Sequence, residues 1–187
     1  SANTLSHIKN FNEIFKAIKY SLSDNGILIL EDPSLLECVK KVAYDQFYCE
    51  HLYVFSTISL QKILDNFQLE IFDIENISTH GGSNRYYIKK RTNSIHRITR
   101  KVKIEVSKET KYGLKNFVTY KKFAKKVSIS RIKLLGILKN LKKNKKKVIG
   151  YGATAKSCTV LNYCGVDRRL IEYFYDTTSF KINKYLP

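Results

Sequence analysis

Apolar positions near the start of the chain recur with helical spacing and are followed by a continuous apolar run. The helical positions are Phe11, Ile14, Phe15, Ile18 and Leu22, spaced as on one face of an α-helix. After the turn Asp24-Asn25-Gly26, residues 27–30 form an Ile-Leu-Ile-Leu run. A run of this kind predicts a strand that is buried on both faces of a parallel sheet.

The next sixty residues continue the alternation of helices and strands. We expect a helix through Leu35, Leu36 and Val39, and a helix capped by Ser59 that carries Leu60, Ile63, Leu64 and Phe67. Residues 69–77 are strand-like, and residues 85–88 resemble a hairpin partner across Gly81-Gly82. This order predicts an α/β fold for residues 1–94, as the C-terminal half of a doubly wound, Rossmann-like domain with a terminal antiparallel hairpin.

The remaining residues predict a helical connector and the start of a second domain. Residues 95–147 are basic, with an apolar stripe opposed by lysines: Ile129, Ile132, Leu135, Leu138 and Leu141. Residues 148–187 suggest a second, truncated α/β (Rossmann-like) domain. We expect a strand at 148–149, a small-residue turn, a helix over 157–163, and a strand over 170–175 that ends at Asp176.

The chain has 187 residues and no methionine. It starts in the middle of a pattern and stops without a completed element. We therefore expect an internal fragment of a longer protein; a processed mature chain or a chance lack of methionine are the alternatives. The 43% of hydrophobic residues can bury a core. No apolar run approaches the roughly 20 residues of a membrane span, and no secretion leader is present, which favours a cytoplasmic location and no membrane partner.

The spacing of the cysteines and the position of the charge bear on two kinds of function, metal binding and nucleic-acid binding. Cys38, Cys49, Cys158 and Cys164 form no CxxC pair, so we expect no metal site within this chain and reduced thiols. Residues 91–147 contain 20 lysines and arginines against two acids, which accounts for the whole net charge of +18. A basic run of this kind is usually a solvated helix face, so nucleic acid is an unfavoured partner. A nucleic-acid-binding module nevertheless stays as an alternative.

The residue types of a proton-transfer site occur together in one short segment. Tyr48, Glu50 and His51 lie within four residues, and Gly81-Gly82-Ser83 follows one helix and one strand later. An imidazole titrates near neutral pH and serves as a general base, while a carboxylate and a phenol can orient a substrate. The alternative is that the histidine and tyrosine only satisfy backbone groups of a loop.

A second candidate site is the glycine turn that precedes the predicted helix at 157–163. Gly150, Gly152, Ala153 and Ala155 let a backbone approach a phosphate, and Lys156 adds a positive charge. The pattern is not a full dinucleotide fingerprint. An ordinary tight turn between strand and helix explains it equally well.

Taken in order, these segments resemble the S-adenosylmethionine-dependent C-methyltransferases that act on nucleotide-linked keto-deoxysugars. The resemblance lies in a Tyr-x-Glu-His run at 48–51 with Phe55-Ser56 one residue later than in the family, and in a Thr-His-Gly-Gly-Ser-x-Arg run at 79–85. It continues in the Asn-x-x-x-His segment at 3–7, Gly-Tyr-Gly-Ala-x-x-Lys at 150–156, Leu-Asn-Tyr-Cys-Gly at 161–165 and Lys-Tyr-Leu-Pro at 184–187.

The resemblance implies a three-part enzyme that uses S-adenosylmethionine as cofactor. A zinc-binding N-terminal module would precede this chain, as would the glycine-rich loop that holds the methyl donor. In the implied reaction, a base removes the proton next to the ketone of the nucleotide-linked keto-sugar, and the enolate attacks the sulfonium methyl. We expect this chain alone to be inactive and marginally stable. A methyltransferase acting on another small molecule is a second alternative.

The resemblance also implies roles for individual residues. His51 would be the base, while Tyr48, Glu50 and His7 would position the sugar or stabilise the enolate. Predicted substrate contacts are Asn3, Gly81, Gly82, Ser83, Arg85, Gly150, Tyr151, Gly152, Ala153 and Lys156.

Overall fold

The computed structural model describes residues 1–186 and divides them into two compact units. The first comprises Ser1–Ala43 and Glu50–Tyr120, and the second comprises Tyr44–Cys49 and Lys121–Pro187. Pro187, which ends the Lys-Tyr-Leu-Pro run and the predicted second domain, lies outside the described residues. Both units combine helices with a small sheet, so the chain is of mixed α/β class. Domain boundaries at 94 and 147 stay a prediction.

The helices and strands follow the predicted order. They are α1 (Phe11–Ser21), β1 (Ile27–Pro33), α2 (Leu35–Lys41), α3 (Thr57–Asp65), β2 (Leu69–Ile77), β3 (Ser83–Lys90), α4 (Arg100–Tyr112), α5 (Phe117–Lys143), β4 (Gly150–Tyr151), α6 (Ala155–Cys164) and β5 (Phe174–Tyr175). Short 3₁₀ turns occur at Leu5–His7, Tyr44–Gln46, Thr79–Gly81 and Ser179–Lys181. The hairpin of β2 and β3 across Gly81-Gly82 confirms that prediction.

The sheet of the first unit has the strand order β1-β3-β2. Strand β3 runs antiparallel to both neighbours, so β1 and β2 point in the same direction. On its other edge, β1 receives a parallel bridge from Ala2 at Glu31. The Asn3 amide donates to the Glu31 carbonyl at 2.7 Å, and the Glu31 amide donates to the Ser1 carbonyl at 2.9 Å.

The expectation that residues 27–30 are buried on both faces is wrong. Ile27 and Ile29 are 38% and 41% exposed, whereas Leu30 is 2% exposed. Successive side chains of a strand point to opposite faces, and only the face of Leu30 packs on the core of the first unit. The antiparallel neighbour β3, rather than a parallel strand, pairs with β1 along this run.

The core of the first unit lies between the sheet and the helices on its Leu30 face. Leu60 and Leu64 of α3 and Phe15 of α1 are fully buried there. Helix α3 begins three residues earlier than predicted, because Ser56 is its cap. The Ser56 hydroxyl accepts from the Ser59 amide at 3.1 Å, and the Ser59 hydroxyl accepts from the Ser56 amide at 3.0 Å. Such a reciprocal pair satisfies two backbone donors at a helix start.

The basic region forms two helices, and its predicted apolar stripe is buried only in part. Ile129 and Ile132 are exposed, whereas Val127 and Leu138 are buried. The less exposed face of α5 in the second unit carries Phe123, Val127, Leu134, Leu138 and Leu141. Leu135, Leu138 and Leu141 of the predicted stripe are also buried or half-buried. The prediction was therefore wrong for Ile129 and Ile132 and right for the other three positions. No helix within residues 1–186 is long and apolar enough to span a membrane.

The rest of the second unit is a β-α-β arrangement. Strands β4 and β5 pair in parallel, with Gly150 opposite Phe174. Strand β5 is shorter than predicted, and β4 lies at Gly150–Tyr151 instead of residues 148–149. Helix α6 ends at Gly165, whose φ of 67° is left-handed, which is the common glycine C-cap. None of the four cysteines forms a disulfide bond.

Candidate active site

Several segments of the first unit converge where β1 ends. The Ser34 amide, directly after β1, donates to the Gly82 carbonyl at 3.0 Å. The Ser6 carbonyl, in the 3₁₀ turn Leu5–His7, accepts from the Leu52 amide at 2.9 Å. The N-terminal turn, the loop after His51 and the glycine loop therefore meet at the carboxyl end of a strand, where α/β sheets commonly carry their ligands.

His7 and His51 form the centre of this region. Their ring centroids are 4.9 Å apart and the ring planes meet at 78°. Both side chains are half-buried. Glu50 is exposed in the same unit, while Tyr48 belongs to the second unit. Two imidazoles from segments 44 residues apart in the chain are thus brought into ring contact, an arrangement able to accept and donate protons.

A buried carboxyl group lies next to the histidine turn. Asp32 is 1% exposed, and its Oδ1 accepts a hydrogen bond from the Ser6 amide at 3.4 Å. Burial raises the pKa of Asp32, and this effect outweighs the opposing hydrogen bonding from Ser6 and the attraction of His7. A carboxyl group in this position is unusually easy to protonate.

Four buried oxygen atoms, at the end of β1 and in the segment hydrogen-bonded to it, have no hydrogen-bond partner within residues 1–186. They are Asn3 Oδ1, Ser6 Oγ, Asp32 Oδ2 and Ser34 Oγ. Buried polar atoms are nearly always hydrogen-bonded in folded proteins. The end of β1 therefore has unused hydrogen-bonding capacity, which an ordered water or a polar ligand could satisfy.

Two glycines let the loop between β2 and β3 adopt a backbone conformation that other residues rarely adopt. Gly81 and Gly82 have φ values of 84° and 133°. A Cβ on Gly82 would lie 2.8 Å from Glu37 Cγ of α2. The Ser83 hydroxyl is buried and donates to the Thr79 carbonyl at 3.0 Å. The loop consequently lies close against α2, and its Ser34 contact ties it to the end of β1.

Arg85 is held by two acids of the sheet. Its Nε and Nη2 donate to Glu31 Oε2 at 3.1 and 3.0 Å, and its Nη1 donates to Glu75 Oε2 at 3.2 Å. Because side chains alternate along β1, Glu31 and Arg85 lie on the face of the sheet opposite to Asp32. These ion pairs give Arg85 a structural role across three strands; a substrate contact stays a prediction.

In the second unit, the glycine turn meets the end of β5. A Cβ on Gly150 would collide with the Phe174 ring, and Gly152 has a φ of 89°. The Ala153 amide donates to Asp176 Oδ2 at 2.7 Å. Hydrogen bonds from Thr178 and from that amide hold the pKa of Asp176 below its usual value. The Asp176 carboxylate thus already accepts a hydrogen bond from one backbone amide of this turn.

The same carboxylate connects the turn to the residues after β5. Lys181 Nζ donates to the Ala153 carbonyl at 2.8 Å and to Asp176 Oδ2 at 3.3 Å. Thr154 caps the start of helix α6, and its hydroxyl accepts from the Ser157 amide at 3.1 Å. Tyr151 is exposed and Lys156 is half-buried. Of the predicted contacts, Gly150 to Lys156 therefore form one turn at the carboxyl ends of two parallel strands.

A groove of the first unit lies apart from the histidine pair. It encloses about 710 Å³ between α3, β2 and α4, and its floor contains Ile71, Ile98 and Val102. None of the predicted site residues lines it. Within residues 1–186, no group of three or more histidine, cysteine, aspartate or glutamate side chains is arranged to hold a metal ion.

The sequence analysis did not select Asp32, Ser6, Ser34 or Asp176 as site residues. The sequence did contain a signal for the two aspartates. Asp32 lies two residues after the apolar run at 27–30, and Asp176 ends the strand predicted over 170–175. Ligand groups in α/β folds occur at such strand ends. The two serines carried no such signal. Their position depends on the hydrogen bonds that join the N-terminal turn and the glycine loop to β1.

Comparison with known proteins agrees with the resemblance. Over 181 residues the chain is 28% identical to the C-methyltransferase NovU of Streptomyces niveus, an alignment that covers 97% of this chain and 43% of the relative. The chain thus spans less than half the length of this relative. Residues 78–187 match the family described as the C-methyltransferase C-terminal domain. Because this match covers more than half of the chain, the chain belongs to the C-methyltransferase family.

Proposed function

We propose that the protein containing this chain moves a methyl group from S-adenosylmethionine to the carbon next to the ketone of a nucleotide-linked deoxysugar. The contact between the His7 and His51 rings, 4.9 Å apart, is the observation that carries this proposal. The similarity to a C-methyltransferase supports the reaction type. Carbon methylation next to a ketone requires a base, and the imidazole pair supplies one.

His51 removes the proton in this proposal. A ketone acidifies the neighbouring C–H bond, so the proton passes to the unprotonated ring nitrogen of His51 while the C–H electron pair moves onto the ketone oxygen. His7, in ring contact with His51, donates an N–H to the developing oxyanion. Glu50 and Tyr48 orient the sugar. The reactive species formed on this chain is an enolate with its charge on oxygen.

We propose that the first unit does not hold the methyl-donor loop. The two connections in the first unit that lead from a strand to a helix, at Ser34 and at residues 91–99, contain no glycine, so neither is the glycine-rich turn that such a site uses. S-adenosylmethionine supplies the methyl group when bound, and the proton chemistry is the part assigned to this chain. Zinc belongs to the proposed N-terminal module.

The architecture around the proposed site is the C-terminal half of a doubly wound domain over residues 1–94. This proposal is supported by the common direction of β1 and β2, the helices between them, and the parallel bridge at Ala2. Residues 95–147 connect it to the second α/β domain. The turn from Gly150 to Lys156 contacts the nucleotide, with small residues for close approach and Lys156 for charge.

His51→Asn in the full-length protein tests the base. General-base catalysis contributes about 10²–10⁴-fold, so we expect methyl transfer, and hydrogen exchange at the substrate carbon in deuterated water, to fall by about that factor. His96→Asn is the matched control, because the His96 ring stacks on Phe72 at 4.8 Å, away from the pair; its rates should stay within about twofold. Unchanged exchange in His51→Asn removes His51 from the base role.

Two alternatives are separated by simple measurements. A methyltransferase for another small molecule would bind labelled donor but methylate none of a panel of nucleotide-linked keto-sugars. A nucleic-acid-binding module using residues 91–147 would bind RNA or DNA with an affinity that falls steeply with salt. The proposed enzyme should yield a keto-sugar product that has gained one methyl group on carbon, as measured by mass spectrometry.

A further inference from the structure

Asp32 is a buried acid that the proposed proton transfer does not use. Its side chain is 1% exposed, and His7 attracts its negative charge. Burying a carboxyl group is costly unless it forms hydrogen bonds. Its Oδ1 accepts from the Ser6 amide at 3.4 Å, and hydrogen bonding from Ser6 opposes the effect of burial on its pKa.

Ser6 connects this carboxyl group to both histidines through the backbone. Its amide faces Asp32, and its carbonyl accepts from the amides of Leu52 at 2.9 Å and Tyr53 at 3.3 Å. His7 follows Ser6 in the chain, and His51 precedes Leu52. A single peptide segment, fixed to β1 on one side and to the loop on the other, therefore sets the separation of the two rings.

We propose that Asp32 is a positioning residue that, through the Ser6 backbone, holds the His7 ring against the His51 ring. The proposal rests on the proposed function, because the ring pair is the base assigned there. In this role Asp32 acts through the Ser6 backbone and not on the substrate. Its contribution is the hydrogen bond that fixes the turn Leu5–His7 to the end of β1, the strand that anchors the rest of the site.

The required group is a hydrogen-bond acceptor and not a negative charge. Burial favours the protonated form of Asp32, whose pKa is raised, and a protonated carboxyl group keeps an acceptor oxygen for the Ser6 amide. Asparagine offers the same Oδ1 acceptor with a similar volume. Asp32→Asn should therefore substitute for the acid, whereas Asp32→Ala should release the turn.

The first experiment measures ring geometry and needs no substrate. In the full-length protein with isotope-labelled histidine, the nuclear Overhauser contact between the His7 and His51 rings should be present in the wild type and in Asp32→Asn. It should be lost in Asp32→Ala. Ile88→Val is the control, since Ile88 is fully buried in β3 and its truncation loosens the core without touching the turn. A contact retained in Asp32→Ala, or lost equally in Ile88→Val, overturns the proposal.

The second experiment measures hydrogen exchange at the substrate carbon. Misplacement of a catalytic group by about 1 Å can cost on the order of 10²-fold in rate, so Asp32→Ala should lower the exchange rate constant by about 10- to 100-fold with little change in KM. Asp32→Asn should stay within about threefold of the wild type over the whole pH profile. A loss in Asp32→Asn as large as in Asp32→Ala would show that the charge is required, which contradicts the proposal.

The two readouts separate failure of this inference from failure of the proposed function. A wild-type protein that exchanges no substrate proton would refute the proposed base chemistry. The ring contact and its loss in Asp32→Ala would still test the positioning role. Conversely, normal exchange in a folded Asp32→Ala protein would refute the positioning role and leave the base assignment standing.

Discussion

Gly82 joins β3 to the preceding turn in a backbone conformation that other residues rarely adopt. Its φ of 133° and the 2.8 Å approach of Glu37 Cγ to the place of a Cβ both exclude a side chain. Its carbonyl accepts from Ser34 at the end of β1. One residue thus controls how the glycine loop, α2 and the end of β1 fit together, and the proposed site depends on that fit.

Gly82→Ala should lower the free energy of unfolding by about 1–3 kcal/mol, the usual range for strained backbone positions. The matched control is Gly136→Ala. Gly136 lies inside α5, and nothing comes within 4 Å of its place for a Cβ, so alanine should raise the free energy of unfolding by about 0.5–1 kcal/mol. Urea denaturation of both variants measures the two changes, and an equal sign for both would contradict the assignment.

At the scale of elements, helix α3 is tied to α4 by a buried acid. Glu109 of α4 is fully buried, and its two carboxyl oxygens accept from the amides of Thr57 at 2.7 Å and Ile58 at 2.9 Å. These amides are among the unpaired donors at a helix start, where negative charge is also favoured. Even so, burial dominates and raises the pKa of Glu109.

The raised pKa makes the contribution of Glu109 to stability depend on pH. In the folded state the group binds its proton more tightly than in the unfolded state, so its contribution is fully present below the unfolded pKa of 4.5 and is lost as pH rises through the folded value. Glu109→Gln cannot titrate. The unfolding free energy of the wild type minus that of Glu109→Gln should therefore decrease between about pH 4 and pH 7.

Urea denaturation of both proteins across that pH range measures this difference. Effects of other titrating groups, such as Asp32, are shared by the two proteins and cancel. A difference that grows with rising pH would mean that the hydrogen bonds from Thr57 and Ile58 outweigh burial, and that Glu109 is ionised at little cost.

At the scale of the whole chain, the excess positive charge is carried by outward-facing side chains of the basic region. Its two acids, Glu105 and Glu109, are 4% and 0% exposed, whereas α5 carries nine lysines and arginines and no acid. Like charges three and four residues apart on a helix repel each other. Such a surface destabilises the folded state at low salt.

Lys125→Gln should relieve part of this repulsion, because Lys121 and Lys122 lie four and three residues before it on α5. We expect a gain of about 0.2–0.5 kcal/mol in unfolding free energy at about 0.01 M salt, which disappears at about 0.5 M. Lys16→Gln, on α1 beside Glu13, is the control and should give no such gain. A gain for Lys125→Gln that is independent of salt would contradict an electrostatic cause.

Local patterns in the sequence determined most of the elements of this protein. Apolar spacing predicted α1, α2 and the basic helices, and the Gly-Gly pair predicted the β2–β3 hairpin. These predictions succeed because the helical and strand repeats of apolar residues depend only on residues close together in the sequence. The ordered motifs at 48–51, 79–85 and 150–165 also determined the family, which the match over residues 78–187 confirms.

Only the tertiary structure decided which faces are buried and which distant residues meet. Apolar residues occur on more than one side of α5, and packing buries Val127 and Leu138 while Ile129 and Ile132 stay exposed. The alternation of exposure in β1 depends on its antiparallel neighbour β3. The approach of His7 to His51, and of Asp32 to Ser6, is made by hydrogen bonds between segments far apart in the chain. Periodicity carries no information about such contacts, because they depend on how the elements pack and not on the order of residues within any one of them.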